Sequence, residues 1–396
     1  MTLLRHWHQC RSIPLLLLLL LPIFIHAFSF EPKVPIQPKP TVLVVGKIIM
    51  DDYRKPDQPQ GDGRLSVGGG GPQAAVAASL ALATLYKDTS LEPQPVLFSG
   101  PVGGLDWNDQ DQQALEELLA PSVEQIIVDK SPDHQTPRIQ LWHDNDQNIQ
   151  WRALEGSFDD IGANGLWQNR PSVKVIEELL AASTTRKQEQ SSTLICHAII
   201  EGGGESGTGK GLDASFLWDN DLRDKIDVLG IEPIVFCDEA TGTVRSEDAQ
   251  VCTDRILKLD KVDILSPDKD LDEQLDYVRL SNIATIGVRN GPKGSLLKIP
   301  RYQDDRDTSI PDRISIPVPC ASLVTPDVVN PTGAGNAYSA ALTTCLGSGA
   351  GLIESTCIAT AIGAAFVEVE HVPEYSLATL GRIRDGVEDV KRQLRQ

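Results

Sequence analysis

The strongest constraint on the fold is a recurring pattern. Short apolar, β-branched runs end at glycine or an acid and are followed by small-residue or amphipathic stretches of helical length. Thr41–Gly46 is the clearest case, with Val-Leu-Val-Val closed by Gly. Pro95–Gly100, Leu194–Ile200, Ile234–Asp238, Val262–Leu265 and Ala284–Val288 read the same way. Apolar residues at consecutive positions, rather than alternate ones, belong to strands covered on both faces, as in parallel sheets. Helical patterns lie between them at Asp109–Leu119, Ala337–Cys345, Glu354–Glu368 and Leu377–Gln396. The alternation predicts a three-layer α/β fold, a mostly parallel sheet with helices on its faces and ligands at the carboxyl ends of its strands. Two shorter runs, Pro137–Trp142 and Asn148–Ala153, alternate apolar and polar around Asp144-Asn145-Asp146, the signature of a β-hairpin.

One stretch carries chemistry. Val328-Val329 is read as the end of a strand, and Asn330-Pro331-Thr332-Gly333-Ala334-Gly335-Asn336 follows as a tight turn into the small-residue helix. Gly333 and Gly335 let backbone approach a ligand closely. Exposed amides at a helix start, with the positive end of the helix dipole behind them, form an anion cradle. A phosphoryl group is the expected guest.

The turn resembles the C-terminal signature D-T-x-G-A-G-D of the PfkB (ribokinase-like) carbohydrate and nucleoside kinases, and its G-A-G-N ending resembles a eukaryotic subgroup of that family. Further motifs follow in family order. Gly46-Lys-Ile-Ile-Met-Asp51 is similar to the first-strand G-x-x-x-x-D, and Gly68-Gly69-Gly70-Gly71-Pro72-Gln73-Ala74 to the N-terminal G-G-x-G-x-N-x-A. Gly100-Pro-Val-Gly103-Gly-Leu-Asp106 resembles G-x-V-G-x-D, Ser266-Pro267-Asp268-Lys269-Asp270-Leu271 resembles P-N-x-x-E, and Arg289-Asn290-Gly291-Pro292-Lys293-Gly294 resembles T-x-G-x-x-G. The resemblance implies a ribokinase-like domain over 41–396, with a small β lid from about 48–66 and 136–153. It implies ATP and Mg²⁺ as cofactors and a sugar or nucleoside as substrate. Gly333, Ala334 and Gly335 would form the anion hole. Asp51, Gly69, Gly71 and Gln73 would bind substrate, and Arg289, Gly291 and Gly294 the nucleotide. Asp268, Asp270 and Asn330 would lie at the metal.

The departures fall on the acids. The family's general base is Asn336 here, the first acid of the signature is Asn330, and the Glu of P-N-x-x-E is Leu271. An Asn carboxamide orients a hydroxyl but does not take its proton at neutral pH. Two functions therefore remain open: a kinase in which Asn336 orients the attacking hydroxyl, and an inactive nucleotide- and sugar-binding relative with a regulatory or scaffolding role. At single positions a plainer role stands beside the functional one. Asp51 is a substrate ligand or a solvated turn acid, and Arg289 a phosphate ligand or a salt-bridge partner. Gly204–Gly211 nearly spells a P-loop around Lys210, but Gly211 replaces the hydroxyl residue, so a surface loop is expected.

The 396 residues carry a net charge of −19, which argues against nucleic-acid binding. Residues 1–27 read as a signal peptide, with Arg5 and Arg11 before an apolar run ending at Ala27, and no stable membrane span is expected after its cleavage. Phe28 and the Pro-rich segment 28–40 resemble, in part, the bipartite presequences of secondary plastids; secretion or the endoplasmic reticulum lumen is the alternative. Most of the six cysteines after the presequence sit in apolar runs, as buried free thiols do. Oligomerisation is possible on this sequence.

Overall fold

The structure, a computed structural model, describes residues 39–54, 66–131, 133, 135–143, 149–153, 193–201, 223–235, 243–259, 261–300, 313–322 and 328–396. The expected presequence, nearly all of the Pro-rich segment and the P-loop-like run lie outside them. In chain order the strands are β1 (Thr41–Val45), β2 (Ile49–Arg54), β3 (Ser66–Gly68), β4 (Gln94–Gly103), β5 (Val123–Ser131), β6 (Arg138–His143), β7 (Ile149–Ala153), β8 (Leu194–Glu201), β9 (Val228–Ile234), β10 (Ile264–Leu265), β11 (Thr285–Arg289), β12 (Ser295–Pro300) and β13 (Arg313–Val318). The helices are α1 (Gly70–Leu85), α2 (Asp109–Leu119), α3 (Ser246–Leu257), the single turn α4 (Lys269–Asp272), α5 (Ala334–Gly347), α6 (Leu352–Val367) and α7 (Leu377–Leu394).

The main sheet runs β13-β12-β11-β10-β9-β8-β1-β4-β5. Pairing is parallel from β11 through to β5, and β12 and β13 add an antiparallel edge. β1 shows why the apolar run is continuous. Val42 and Val44 enter one hydrophobic core, Leu43 and Val45 the other, and all are fully buried. The first core packs under α1, α5, α6 and α7, and the many alanines of α1, α5 and α6 let those helices approach closely; the second packs under α3 and α4. This is the three-layer α/β arrangement that the alternation predicts. A second sheet, β3-β2-β6-β7, forms the small lid, with β6 parallel to β2 and the β6–β7 hairpin antiparallel. Asp106 ties it down, accepting from the Thr136 amide at 2.7 Å and the Arg138 guanidinium at 2.9 Å.

Two expectations fail. The strand expected at 234–238 is β9, which ends at Ile234. Glu232 and Pro233 interrupt the apolar pattern, so the strand is hidden in sequence, yet Glu232 is fully buried in it. Val328-Val329 does not end a strand; each is 44 % exposed. The Val329 and Asn330 amides instead donate to the Val367 carbonyl at the end of α6, at 2.8 and 3.2 Å, which anchors the approach to the turn. β5, β12, β13 and α3 are elements that the sequence pattern did not announce.

Candidate active site

The turn before α5 is held by its own side chains. The Asn330 amide nitrogen donates to the Glu370 carbonyl at 2.7 Å, and its oxygen accepts from the Thr332 amide at 2.9 Å. Gly333 caps the helix at φ +87°, a left-handed conformation that suits glycine. The Ala337 amide donates to the Gly333 carbonyl at 2.8 Å, closing the first turn. The amides of Gly335 and Asn336, inside that turn, have no intrahelical acceptor. Pro331 to Asn336 are all half-buried, so this donor surface is accessible, while Ala337–Cys345 behind it is buried.

On one side the turn meets α1. Asn336 donates its side-chain amide to the Gln73 oxygen at 2.7 Å. A Cβ on Gly333 would come within 2.3 Å of the Gln73 carboxamide carbon, so the turn lies flat on that side chain. Gly68 makes similar room for Asp51, whose Oδ2 sits 2.0 Å from where a Cβ would stand. Asp51, Gly68, Gln73, Asn330, Thr332 and His371 line a common cleft. Burial pushes the Asp51 carboxyl up to about 7, against the opposing hydrogen bond from the Gly69 backbone. Gly69 itself caps α1 at φ +94°. Gly71 is buried against the Gly46 carbonyl and Phe98; its smallness serves the packing of α1 on the sheet.

On the other side the turn meets charge. A Cβ on Gly335 would lie 2.8 Å from an Arg289 guanidinium nitrogen. Arg289, at the end of β11, pairs with Glu232 at 2.5 Å and donates to the Pro233 carbonyl at 3.3 Å. The salt-bridge role expected for it is present, in a buried pair rather than at the surface, and its guanidinium also lies beside the cradle. Glu232 in turn lies 3.4 Å from His197 Nε2 on β8, and His197 Nδ1 contacts the Thr343 hydroxyl of α5 at 3.2 Å. Glu232 and His197 are both fully buried. Neither was a candidate from sequence. The available signal was an acid inside an otherwise apolar run; in the structure its register partner on β8 is Ile199, two positions from His197. Of the two nearby glycines, Gly291 (φ +52°) faces open space, and Gly294 (φ +87°) packs on the Val318 carbonyl.

Two of the expected metal residues have local partners. Asp268 caps α4, accepting from the Leu271 amide at 2.8 Å, and Asp270 is exposed. Asn330 is occupied in its turn, and nearby Asp272 pairs with Lys298 at 2.7 Å. Among the described residues no three His, Cys, Asp or Glu side chains form a metal-holding group. The residues do not by themselves fit a protein-held Mg²⁺; such an ion more often rides on substrate phosphates with one or two carboxylates. The amide cradle, by contrast, fits an anionic nucleotide.

No protein-family model matches the chain, and no curated protein matches it in sequence. Solved structures do resemble it. A nucleoside kinase of Methanocaldococcus jannaschii, an archaeal member of the ribokinase family, aligns with TM-score 0.51 and 16 % identity over 88 % of this chain and 99 % of its own. Arabidopsis thaliana ribokinase, solved with ribose and ATP, aligns at 0.50 with 15 % identity over 91 % and 100 %. Phosphofructokinase-2 of Escherichia coli, solved with fructose-6-phosphate, aligns at 0.50 with 14 % identity over 90 % and 99 %. Those enzymes differ in substrate, and function belongs to the site more than to the fold. Together with the sheet order, the lid and the turn before α5, these likenesses establish that the chain has the ribokinase-like fold.

Proposed function

We propose that this protein is a PfkB-type kinase that transfers the terminal phosphate of ATP to a hydroxyl of a sugar or nucleoside. The observation that carries the proposal is the Asn336–Gln73 hydrogen bond, which joins the anion cradle to the cleft lined by Asp51. Phosphoryl transfer rests mostly on positioning and charge stabilisation. The Gly335 and Asn336 amides and the Arg289 guanidinium would hold the phosphate, and Asp51 and Gln73 would hold the acceptor. Asn336, its amide nitrogen given to Gln73, has its side-chain oxygen left to accept from the attacking hydroxyl. ATP would bring its Mg²⁺ bound to the phosphates. The proton would leave to water or phosphate, or to Asp51, whose raised pKa suits it to receive one.

A second reading has its own support. Both carboxamides at the acid positions are committed to internal bonds, Asn330 to its turn and Asn336 to Gln73. That favours a protein that binds nucleotide and sugar without turnover. For the compartment, the presequence pattern and the free, mostly buried thiols of Cys196, Cys252, Cys320, Cys345 and Cys357 favour a plastid over an oxidising lumen.

The test is ATP consumption by the full chain with Mg²⁺ and a panel of sugars and nucleosides, beside Asn336→Asp. The expected result is a phosphorylated product with at least one acceptor. The variant should be faster by about 10²-fold or more, the usual scale of general-base help. ATP binding with no product from either protein would reject the kinase and leave the binding protein.

A further inference from the structure

Arg289 stands where a cation is costly. The N-terminal end of α5 carries the positive end of a helix dipole, and a guanidinium beside it is disfavoured unless an anion offsets it. The Arg289 side chain is 14 % exposed, and it lies so close to Gly335 that any larger residue there would have to move it. What holds it is a chain of buried groups across neighbouring strands. Glu232 on β9 pairs with one guanidinium nitrogen, and the Pro233 carbonyl takes the other. His197 lies on the far side of Glu232, and Thr343 of α5 closes the chain back onto the cradle helix. The fit between strands is tight, because Gly230, the register partner of His197, leaves the space that the Thr343 hydroxyl fills.

We infer that Glu232 is a positioning residue: it fixes the Arg289 guanidinium against the first turn of α5, so that an arriving polyphosphate meets backbone amides and a cation together. The inference rests on the proposed nucleotide site. Glu232 touches no ligand; it acts through Arg289. Without it the guanidinium would swing from the dipole toward solvent, and the terminal phosphates would lose a charge-assisted bond. A nucleoside monophosphate, which has no terminal phosphates to place at the cradle, would lose nothing.

The experiment measures ATP and AMP affinity of the full chain by calorimetry, for the native protein, Glu232→Gln, Arg289→Gln and the double variant. Glu232→Gln is expected to weaken ATP about tenfold or more, the scale of a charged hydrogen bond, and to leave AMP unchanged. In the Arg289→Gln background the same substitution should have no further effect on ATP, because the group it positions is gone. The double variant also removes both charges of a buried pair, a change that folded proteins tolerate better than loss of one. It therefore reports even if Glu232→Gln alone fails to fold: ATP affinity equal to that of Arg289→Gln supports the inference. Equal losses for ATP and AMP, or a Glu232 effect that persists without Arg289, would overturn it while the nucleotide site stood. A native protein that binds no ATP would overturn both.

Discussion

The two flanks of the cradle turn are built from opposite materials. Toward the lid, Gly333 lies on Gln73, Gln73 accepts from Asn336, and the cleft beyond holds Asp51 with its carboxyl pushed up to about 7. That flank is amides and one carboxyl poised near neutrality. Toward the strand ends, Gly335 lies on Arg289, which is paired with a fully buried Glu232. That flank is fixed charge. The difference follows what each would handle. An acceptor hydroxyl is neutral and needs directional hydrogen bonds, whereas a polyphosphate needs positive potential held in place before it arrives. One glycine for each flank lets a single turn lie against both.

The ionic flank should break hardest. Glu232→Ala leaves a buried guanidinium unpaired, and a loss of about 3–5 kcal/mol is expected in chemical denaturation. Adding Arg289→Gln should recover most of it; a single variant as stable as the native protein would show that the pair contributes nothing to the fold. Next comes the turn itself. Gly333→Ala forces a side chain into the left-handed region against Gln73, with an expected cost of about 1–3 kcal/mol and weaker ATP binding. An unchanged melting midpoint and ATP affinity would mean that the turn does not need this geometry. The amide flank should respond most gently, to pH. Its carboxylate form accepts hydrogen bonds from hydroxyls through both oxygens, and a proton on Asp51 weakens that role. Affinity for the acceptor sugar or nucleoside should therefore rise modestly with pH up to about 7 and then level off. Asp51→Asn should flatten the profile; a native profile already flat between pH 5 and 8 would remove Asp51 from the site.

Sequence exposed the amide flank better than the ionic one, for physical reasons. Gly333, Gly335 and the small-residue helix are local signals, readable within a dozen positions. Asp51 and Gln73 stood out because they fall on the resembled motifs G-x-x-x-x-D and G-G-x-G-x-N-x-A. Their meeting with Asn336 was not local: the Gln73–Asn336 bond spans 263 positions. Glu232 was hidden twice, since a charged residue reads as exposed and it displaced the apparent strand to 234–238. Its burial makes sense only beside Arg289, on a strand two places across the sheet. Val328-Val329 misled in the opposite sense, as an apolar pair that stays exposed because its backbone is tied to α6. The metal side was the least legible, because Asp268 stands at the Asn position of P-N-x-x-E, Asp270 is one position short of the Glu, and Asp268 serves as a helix cap.

The most direct test of the whole site is a crystal structure of the full chain with a non-hydrolysable ATP analogue and the acceptor identified by turnover or binding. The expected result is terminal phosphate oxygens within about 3.2 Å of the Gly335 and Asn336 amides, with an acceptor hydroxyl at Asp51. A nucleotide whose phosphates lie away from this turn, or an acceptor on another face of the sheet, would contradict it.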